Sequence, residues 1–192
     1  RQCLYISGQS GSGKSHYLGR YMKEYRRMFP KNAIYIFSHV EKDAALDSVK
    51  GVKRIRFDEA FLEEEWKAED FADTFCIFDD VFELTQNKQL MGVLTHIRAL
   101  ILGTGRHHRT FYAETSHVTN AGQATKLTLT ECSSITLYPH STGFRTLKYA
   151  LQTAFGFSTA EIEAIKALPS RWVTVLKTAP RCVLYEGGAY TV

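Results

Sequence analysis

Apolar and polar positions alternate along the chain in a way that separates short buried strands from amphipathic helices. Cys3-Leu4-Tyr5-Ile6 is a continuous apolar run, the pattern of a strand covered on both faces. Leu18, Tyr21, Met22, Tyr25 and Met28 then recur at helical spacing, with Arg20, Lys23, Glu24 and Arg27 between them. Pro30 and Asn32 end that helix. Ala33-Ile34-Tyr35-Ile36-Phe37 reads as a second buried strand, followed by a polar stretch, 41–50, expected as a short helix or loop. Residues 52–57 alternate basic with apolar side chains, as a half-exposed strand would. The acid-rich run 58–69 places Phe61, Leu62 and Trp66 at helical spacing, which predicts a helix with a solvated face.

The second half repeats the alternation. Thr74-Phe75-Cys76-Ile77-Phe78 is an apolar strand ending in Asp79-Asp80. Leu90, Val93, Leu94, Ile97 and Ile101 predict an amphipathic helix over 86–102, broken by Gly103 and Gly105. The basic cluster Arg106-His107-His108-Arg109 leads into a strand over 110–115 that ends in Thr115-Ser116-His117. A turn at Asn120 and Gly122, a helix to about Thr130 and a strand over 134–138 follow. Two short helices are expected over 144–155 and 158–168, the second opened by a capping box of Ser158 and Glu161. Residues 172–176 and 181–185 form a candidate hairpin across Ala179-Pro180.

Between the first strand and the first helix stands Gly8-Gln9-Ser10-Gly11-Ser12-Gly13-Lys14-Ser15, which fits G-x-x-x-x-G-K-[ST] at every fixed position. Glycines let the backbone curl until several N–H groups point inward. Those groups and the positive helix N-terminus hold the phosphates of a nucleotide, ATP in this reading. Lys14 reaches the outer phosphates and the Ser15 hydroxyl is placed to ligate Mg²⁺. The strand–loop–helix context sets the motif apart from a chance glycine turn. The predicted fold class is α/β: a three-layer P-loop NTPase fold, with a mostly parallel central sheet flanked by helices and a C-terminal antiparallel hairpin. One domain over 1–192 is expected, with a core of about 3–138 and C-terminal helices and hairpin of about 143–192.

Ligands of open parallel sheets gather beyond the carboxyl ends of strands, so Asp79 and Asp80 are expected to face the phosphate loop. The first acid of such a pair helps hold magnesium, and the second orients or deprotonates the attacking water. A helix cap leaves the same trace in a sequence. Several nucleotide-binding classes are excluded. Asn87-Lys88 lacks the aspartate of an N-K-x-D base-reading motif, and no LSGGQ-like signature occurs. A strand, 33–37, intervenes between the loop and Asp79, which is more typical of ATPases with a water-activating carboxylate than of small-molecule kinases.

Gly8 to Ser15, Asp79-Asp80, the crossover helix ending in Gly105-Arg106-His107, and Thr115-Ser116-His117 together resemble the genome-packaging ATPases of large double-stranded DNA viruses, of the FtsK–HerA class. The resemblance covers residues 3 to about 138, and the tail with Ser170-Arg171-Trp172 is similar to giant-virus and virophage members. It implies a ring-shaped homo-oligomer that threads double-stranded DNA while hydrolysing ATP at subunit interfaces, with a capsid or portal protein as a further partner. By position, Asp79 matches the Mg²⁺-associated acid and Asp80 the catalytic acid, which is commonly Glu; Asp80 is one methylene shorter, so Glu83 or Glu114 is a candidate to share that role. His117 stands where the family has a γ-phosphate-sensing glutamine. Arg106 is the candidate arginine finger, with a DNA contact or a solvated basic loop as the other readings. Two other functions remain open from the sequence: a helicase-like or other DNA-remodelling ATPase, and a phosphotransferase acting on a small acceptor.

Composition changes this picture little. A hydrophobic share of 44% and a charged share of 23% suit a globular chain with a sizeable core. Net charge is +4, from 24 basic and 20 acidic side chains, which permits a polyanionic partner without requiring one. Lys53, Arg54 and Arg56 are candidates for DNA phosphate contacts, and an exposed strand face explains them equally well. Cys3, Cys76, Cys132 and Cys182 are scattered without a C-x-x-C pair, which argues against a zinc site and for a reducing, intracellular setting. The host cytoplasm or a viral factory, or association with the virion, is the expected location. No apolar run approaches the twenty or so residues of a membrane span, and no signal peptide is visible.

Overall fold

A computed structural model describes residues 2–117 and 122–192. The turn expected at Asn120 lies outside the described residues. The chain divides into two compact units, one of residues 14–115 and one of residues 2–13 with 116–192.

In the first unit, strands β2 (Ala33–Ser38), β3 (Val52–Ile55), β4 (Thr74–Asp79) and β5 (Phe111–Ser116) pair in parallel. Their spatial order is β3-β2-β4-β5. Helix α1 (Lys14–Met28) covers one face, where the Tyr25 ring meets Phe75 of β4 and Phe111 of β5 at 5.0 and 4.9 Å. The other face carries Phe37 and Phe78, stacked at 4.5 Å, and Phe78 in turn meets Phe82 of the short helix α3 (Val81–Leu84). Phe37, Phe75 and Phe78 are fully buried, and each contributes roughly 1.5–3 kcal/mol by leaving water. Helix α4 (Lys88–Thr104) is capped by the Asn87 side chain, which accepts from the Gln89 and Leu90 N–H groups. Gly103 does not break it, and Gly105 is its C-cap.

The acidic run departs from expectation. Helix α2 spans only Glu59–Glu63, and a separate 3-10 turn occupies Ala68–Phe71. Glu63, Glu64 and Glu65 fall at the negative end of α2, where carboxylates oppose the helix dipole. Trp66 lies between the two pieces, its indole N–H donating to the Phe61 carbonyl and its ring stacked on Phe71.

In the second unit, β1 (Cys3–Ser7) pairs in parallel with β6 (Ser134–Leu137), with Ser7 opposite Leu137. From β6 the direction reverses. The antiparallel neighbours are β7 (Val173–Leu176), β8 (Cys182–Tyr185) and β9 (Gly188–Thr191), the last of which was not expected from the sequence. Helices α5 (Gly122–Glu131), α6 (Phe144–Lys148), continued by a π turn over Tyr149–Thr153, and α7 (Thr159–Ala167) complete the unit. The capping box of Ser158 and Glu161 forms as predicted. Lys177 closes the end of α5 by donating to the Leu129 and Thr130 carbonyls. The strands thus pair mostly in parallel before a C-terminal antiparallel hairpin, and the chain has the α/β fold of P-loop NTPases.

All four cysteines are free thiols; Cys3, Cys76 and Cys132 are buried, and burial pushes the Cys76 thiol up to about 12. No helix among the described residues is long and apolar enough to cross a membrane.

Candidate functional site

The glycine loop leaves β1 and turns back on itself, with the Ser12 N–H donating to the Gln9 carbonyl at 3.1 Å. The Gly8 N–H donates to the Ser116 carbonyl at 3.0 Å, which holds the start of the loop. A side chain at Gly8 has no room: its Cβ would lie 2.6 Å from both Tyr138 Cδ2 and Ser12 Oγ. Gly13 adopts φ +108, open to glycine and costly for other residues. The two glycines at fixed positions of the motif thus have separate causes, a close approach at Gly8 and a positive φ at Gly13.

Lys14 is the first residue of α1 and is buried, with Ser15 half-buried beside it. The Lys14 Nζ lies 3.6 Å from Asp80 Oδ2. Strand parity brings the acids to the same place. Phe75, Ile77 and Asp79 alternate onto one face of β4, and Phe75 packs on α1, so Asp79 emerges on the side where α1 begins. Asp79 is in register with Thr115 of β5 and Ser38 of β2. The Thr115 hydroxyl lies 2.9 Å from Asp79 Oδ1 and 3.1 Å from Asp80 Oδ1, and accepts from the Asp80 N–H at 3.0 Å. Ser38 donates to Asp79 Oδ2 at 3.3 Å. Burial, and then the neighbouring Asp80 charge, push the Asp79 carboxyl above its ordinary range, against the Thr115 and Ser38 hydrogen bonds.

Asp80 itself has left the strand. It takes the left-handed conformation, φ +52 and ψ 16, as the N-cap position of α3 with no side-chain cap bond. Its carboxylate faces Lys14 and Thr115. Non-glycine residues held in this region cost of order 1–3 kcal/mol and cluster at functional sites.

Of the two glutamates considered to share the role of Asp80, only Glu83 is near it. Glu114 is one residue from Thr115 and so points to the opposite face of β5, where it is buried beside Arg98 of α4 at 3.8 Å and accepts from the Tyr112 hydroxyl. Glu83 lies on α3, exposed, three residues beyond Asp80, with a carboxylate oxygen within 4.8 Å of one of Asp80. His117 follows β5 directly and is half-buried.

Arg106 is not among the residues brought together. It is exposed in the turn before β5, at the amino end of a strand whose carboxyl end carries Thr115, roughly 13 Å of extended chain away. Its neighbours in the basic cluster are partly committed. Arg109 forms a two-pronged ion pair with Asp73 at 2.6 and 2.5 Å, holding the Asp73 carboxyl below its usual range, and His108 faces Glu69 at 3.8 Å. Arg106 Nε contacts the adjacent His107 ring at 3.3 Å. Of the basic residues on β3, Arg54 is paired with Asp47 and with the Val40 carbonyl, and Lys53 lies over the Tyr35 ring.

Ser38 and Thr115 stand in the sequence only as hydroxyl residues at strand ends, which is the signal they offer. The left-handed Asp80 had none.

No protein-family model matches the chain. It is 34% identical over 194 residues to Uncharacterized protein V3 of the Sputnik virophage, spanning all of this chain and 78% of that one. The genome packaging NTPase B204 of Sulfolobus turreted icosahedral virus 2, solved in complex with AMP, superposes with a TM-score of 0.59 at 14% identity, over 91% of this chain and 92% of that one. The pCW3 conjugation coupling protein TcpA, a monomer form with ATPγS, gives 0.55 at 12% identity over 93% and 58%. The chain belongs to the family of the virophage protein V3, with the fold of the viral genome-packaging NTPases.

Proposed function

We propose that this protein is an ATPase that hydrolyses ATP to ADP and phosphate and uses the energy to move double-stranded DNA, packaging a viral genome into its capsid. One observation carries the reading: a phosphate loop of Gly8 to Ser15 whose lysine is within 3.6 Å of an acid held outside its strand. The structural likeness to a genome packaging NTPase supports it, as does the virophage relative.

In this reading the loop N–H groups and Lys14 hold the phosphates, and positioning with electrostatics supplies most of the rate. Ser15 and Asp79 offer hard oxygen ligands suited to Mg²⁺. Bound there, the ion would neutralise charge on the outer phosphates. Asp80 takes a proton from the attacking water, whose oxygen forms a bond to the γ-phosphorus as the bond to the ADP oxygen breaks. Thr115 fixes the direction of the Asp80 carboxylate, and His117 serves as the γ-phosphate sensor. Arg106, at the far end of β5, reaches a phosphate only on another copy, which fits a ring of identical subunits with sites at their interfaces. Capsid or portal contacts, and a place in the virus factory or virion, follow from the same reading.

ATP hydrolysis with and without duplex DNA, measured alongside solution mass with nucleotide bound, tests the proposal. DNA-stimulated release of inorganic phosphate by an oligomer is the expected result. Phosphate transfer to a small acceptor, with little ATP loss in its absence, would replace it with a phosphotransferase.

A further inference from the structure

The antiparallel turn of the C-terminal strands has a consequence at the phosphate loop. Because β7 runs against β6, with Val173 opposite Leu137, the start of β7 lies beside the carboxyl end of β6. Tyr138 stands at that end, packed against Gly8. Arg171, two residues before β7, is thereby delivered to the loop. Its Nη2 lies 3.6 Å from the point where a Gly13 Cβ would stand, with Tyr138 Cε1 at 3.7 Å from the same point.

The backbone around Arg171 is fixed on both sides. The Ser170 hydroxyl is buried, donating to the Trp172 carbonyl at 2.5 Å and accepting from the Glu186 N–H at 3.0 Å. The Arg171 N–H donates to Glu186 Oε2 at 3.0 Å. The guanidinium, by contrast, has no carboxylate or carbonyl partner among the described residues. An arginine with a pinned backbone and an uncommitted fork, set against a phosphate-binding glycine, matches the bidentate geometry of phosphate oxygens.

We propose that Arg171 is a nucleotide-binding residue that clamps the polyphosphate from the same chain as the loop. The proposal rests on the reading of Gly8 to Ser15 as a nucleotide site. Gly13 precedes Lys14, and loop N–H groups at such positions cradle the α- and β-phosphates, whereas the lysine reaches the β and γ. Arg171 therefore grips the part of the polyphosphate that ATP and ADP share. This separates it from a finger, which acts on the γ-phosphoryl group in the transition state.

The test is equilibrium binding of ATP and ADP, with steady-state hydrolysis, for the wild type, Arg171→Ala and Arg171→Lys. Charge-assisted hydrogen bonds are strong enough that Arg171→Ala should weaken both nucleotides by about tenfold or more, and by similar factors. Arg171→Lys, which keeps the charge and loses the fork, should fall between. The loss should appear in KM more than in kcat. Melting of the unliganded variants should match the wild type, while the nucleotide-induced rise in melting temperature shrinks. Unchanged binding of both nucleotides in Arg171→Ala overturns the clamp, as does a fall in kcat alone. A wild type that binds neither nucleotide overturns the reading of the loop itself, and the clamp with it.

Discussion

The Lys14 ammonium sits 3.6 Å from Asp80 Oδ2, so the two charged groups proposed for opposite sides of the reaction are direct neighbours. In the proposed reading, the Asp80 carboxylate competes with the phosphates of ATP for the Lys14 charge. Asp80→Asn removes that competing charge and tolerates the left-handed backbone, which asparagine readily adopts. We expect it to bind ATP more tightly than the wild type while kcat falls by about 10²-fold or more, as loss of a general base does. Isothermal titration and phosphate release measure the two halves separately. Wild-type-like turnover would remove Asp80 from the catalytic role. Lys14→Ala, in turn, should abolish turnover and keep the native circular dichroism spectrum.

Thr115 holds both acids through one oxygen. Its hydroxyl has a single proton, so it can donate to Asp79 or to Asp80 but not to both at once. Thr115→Val deletes the link between the acids, and hydrogen bonds to charged groups are worth about 1.5–3 kcal/mol. Urea unfolding should show a loss of that size, and turnover should fall at least tenfold. Thr115→Ser keeps the hydroxyl and should restore most of both; a serine variant as impaired as the valine would assign the effect to packing.

Asp79 gives stability a pH dependence of definite sign. Its carboxyl is raised above the ordinary value near 3.9, mainly by burial, so between that value and the raised one the folded chain binds more proton than the unfolded chain. The stability tied to this group is present below the unfolded value and is lost as pH rises through the raised folded value. Asp79→Asn carries no such loss. Thermal unfolding should therefore find it more stable than the wild type at neutral pH, with the difference closing in acid, and inactive throughout. A variant less stable at neutral pH would contradict the dominance of burial.

Arg98 and Glu114 form a buried pair at 3.8 Å, with the guanidinium 4.0 Å from the centre of the Phe82 ring. Removing one partner strands the other, at about 3–5 kcal/mol for such pairs. Arg98→Met should lose stability in that range, whereas Arg98→Met combined with Glu114→Gln should lose less than the sum of the two single changes. Chemical denaturation of the four proteins completes the cycle. Additive losses would mean that the two side chains do not act as a pair.

The elements were legible where periodicity was long or caps were explicit. Leu18 to Met28 and Leu90 to Ile101 each repeat over several turns, and Ser158 with Glu161 forms the cap that their spacing announces. Short elements were not. The four residues of α3 carry too little pattern to register, and β9, with Gly188 and three small or polar-flanked positions, lacks the apolar run of a strand. The helix expected through Trp66 failed because the indole found its place in the Phe61 and Phe71 cluster without helical backbone.

By itself the sequence determined the phosphate loop, its strand–helix setting and the strand that ends in two acids, because each is encoded within a few consecutive residues. Only the tertiary structure decided which acid meets Lys14, which side of β5 Glu114 takes, and that Arg106 lies at the far end of that strand while Arg171 lies at the loop. Those assignments depend on strand parity, strand direction and one left-handed residue. Each of these joins positions far apart in the chain, which no local pattern can specify.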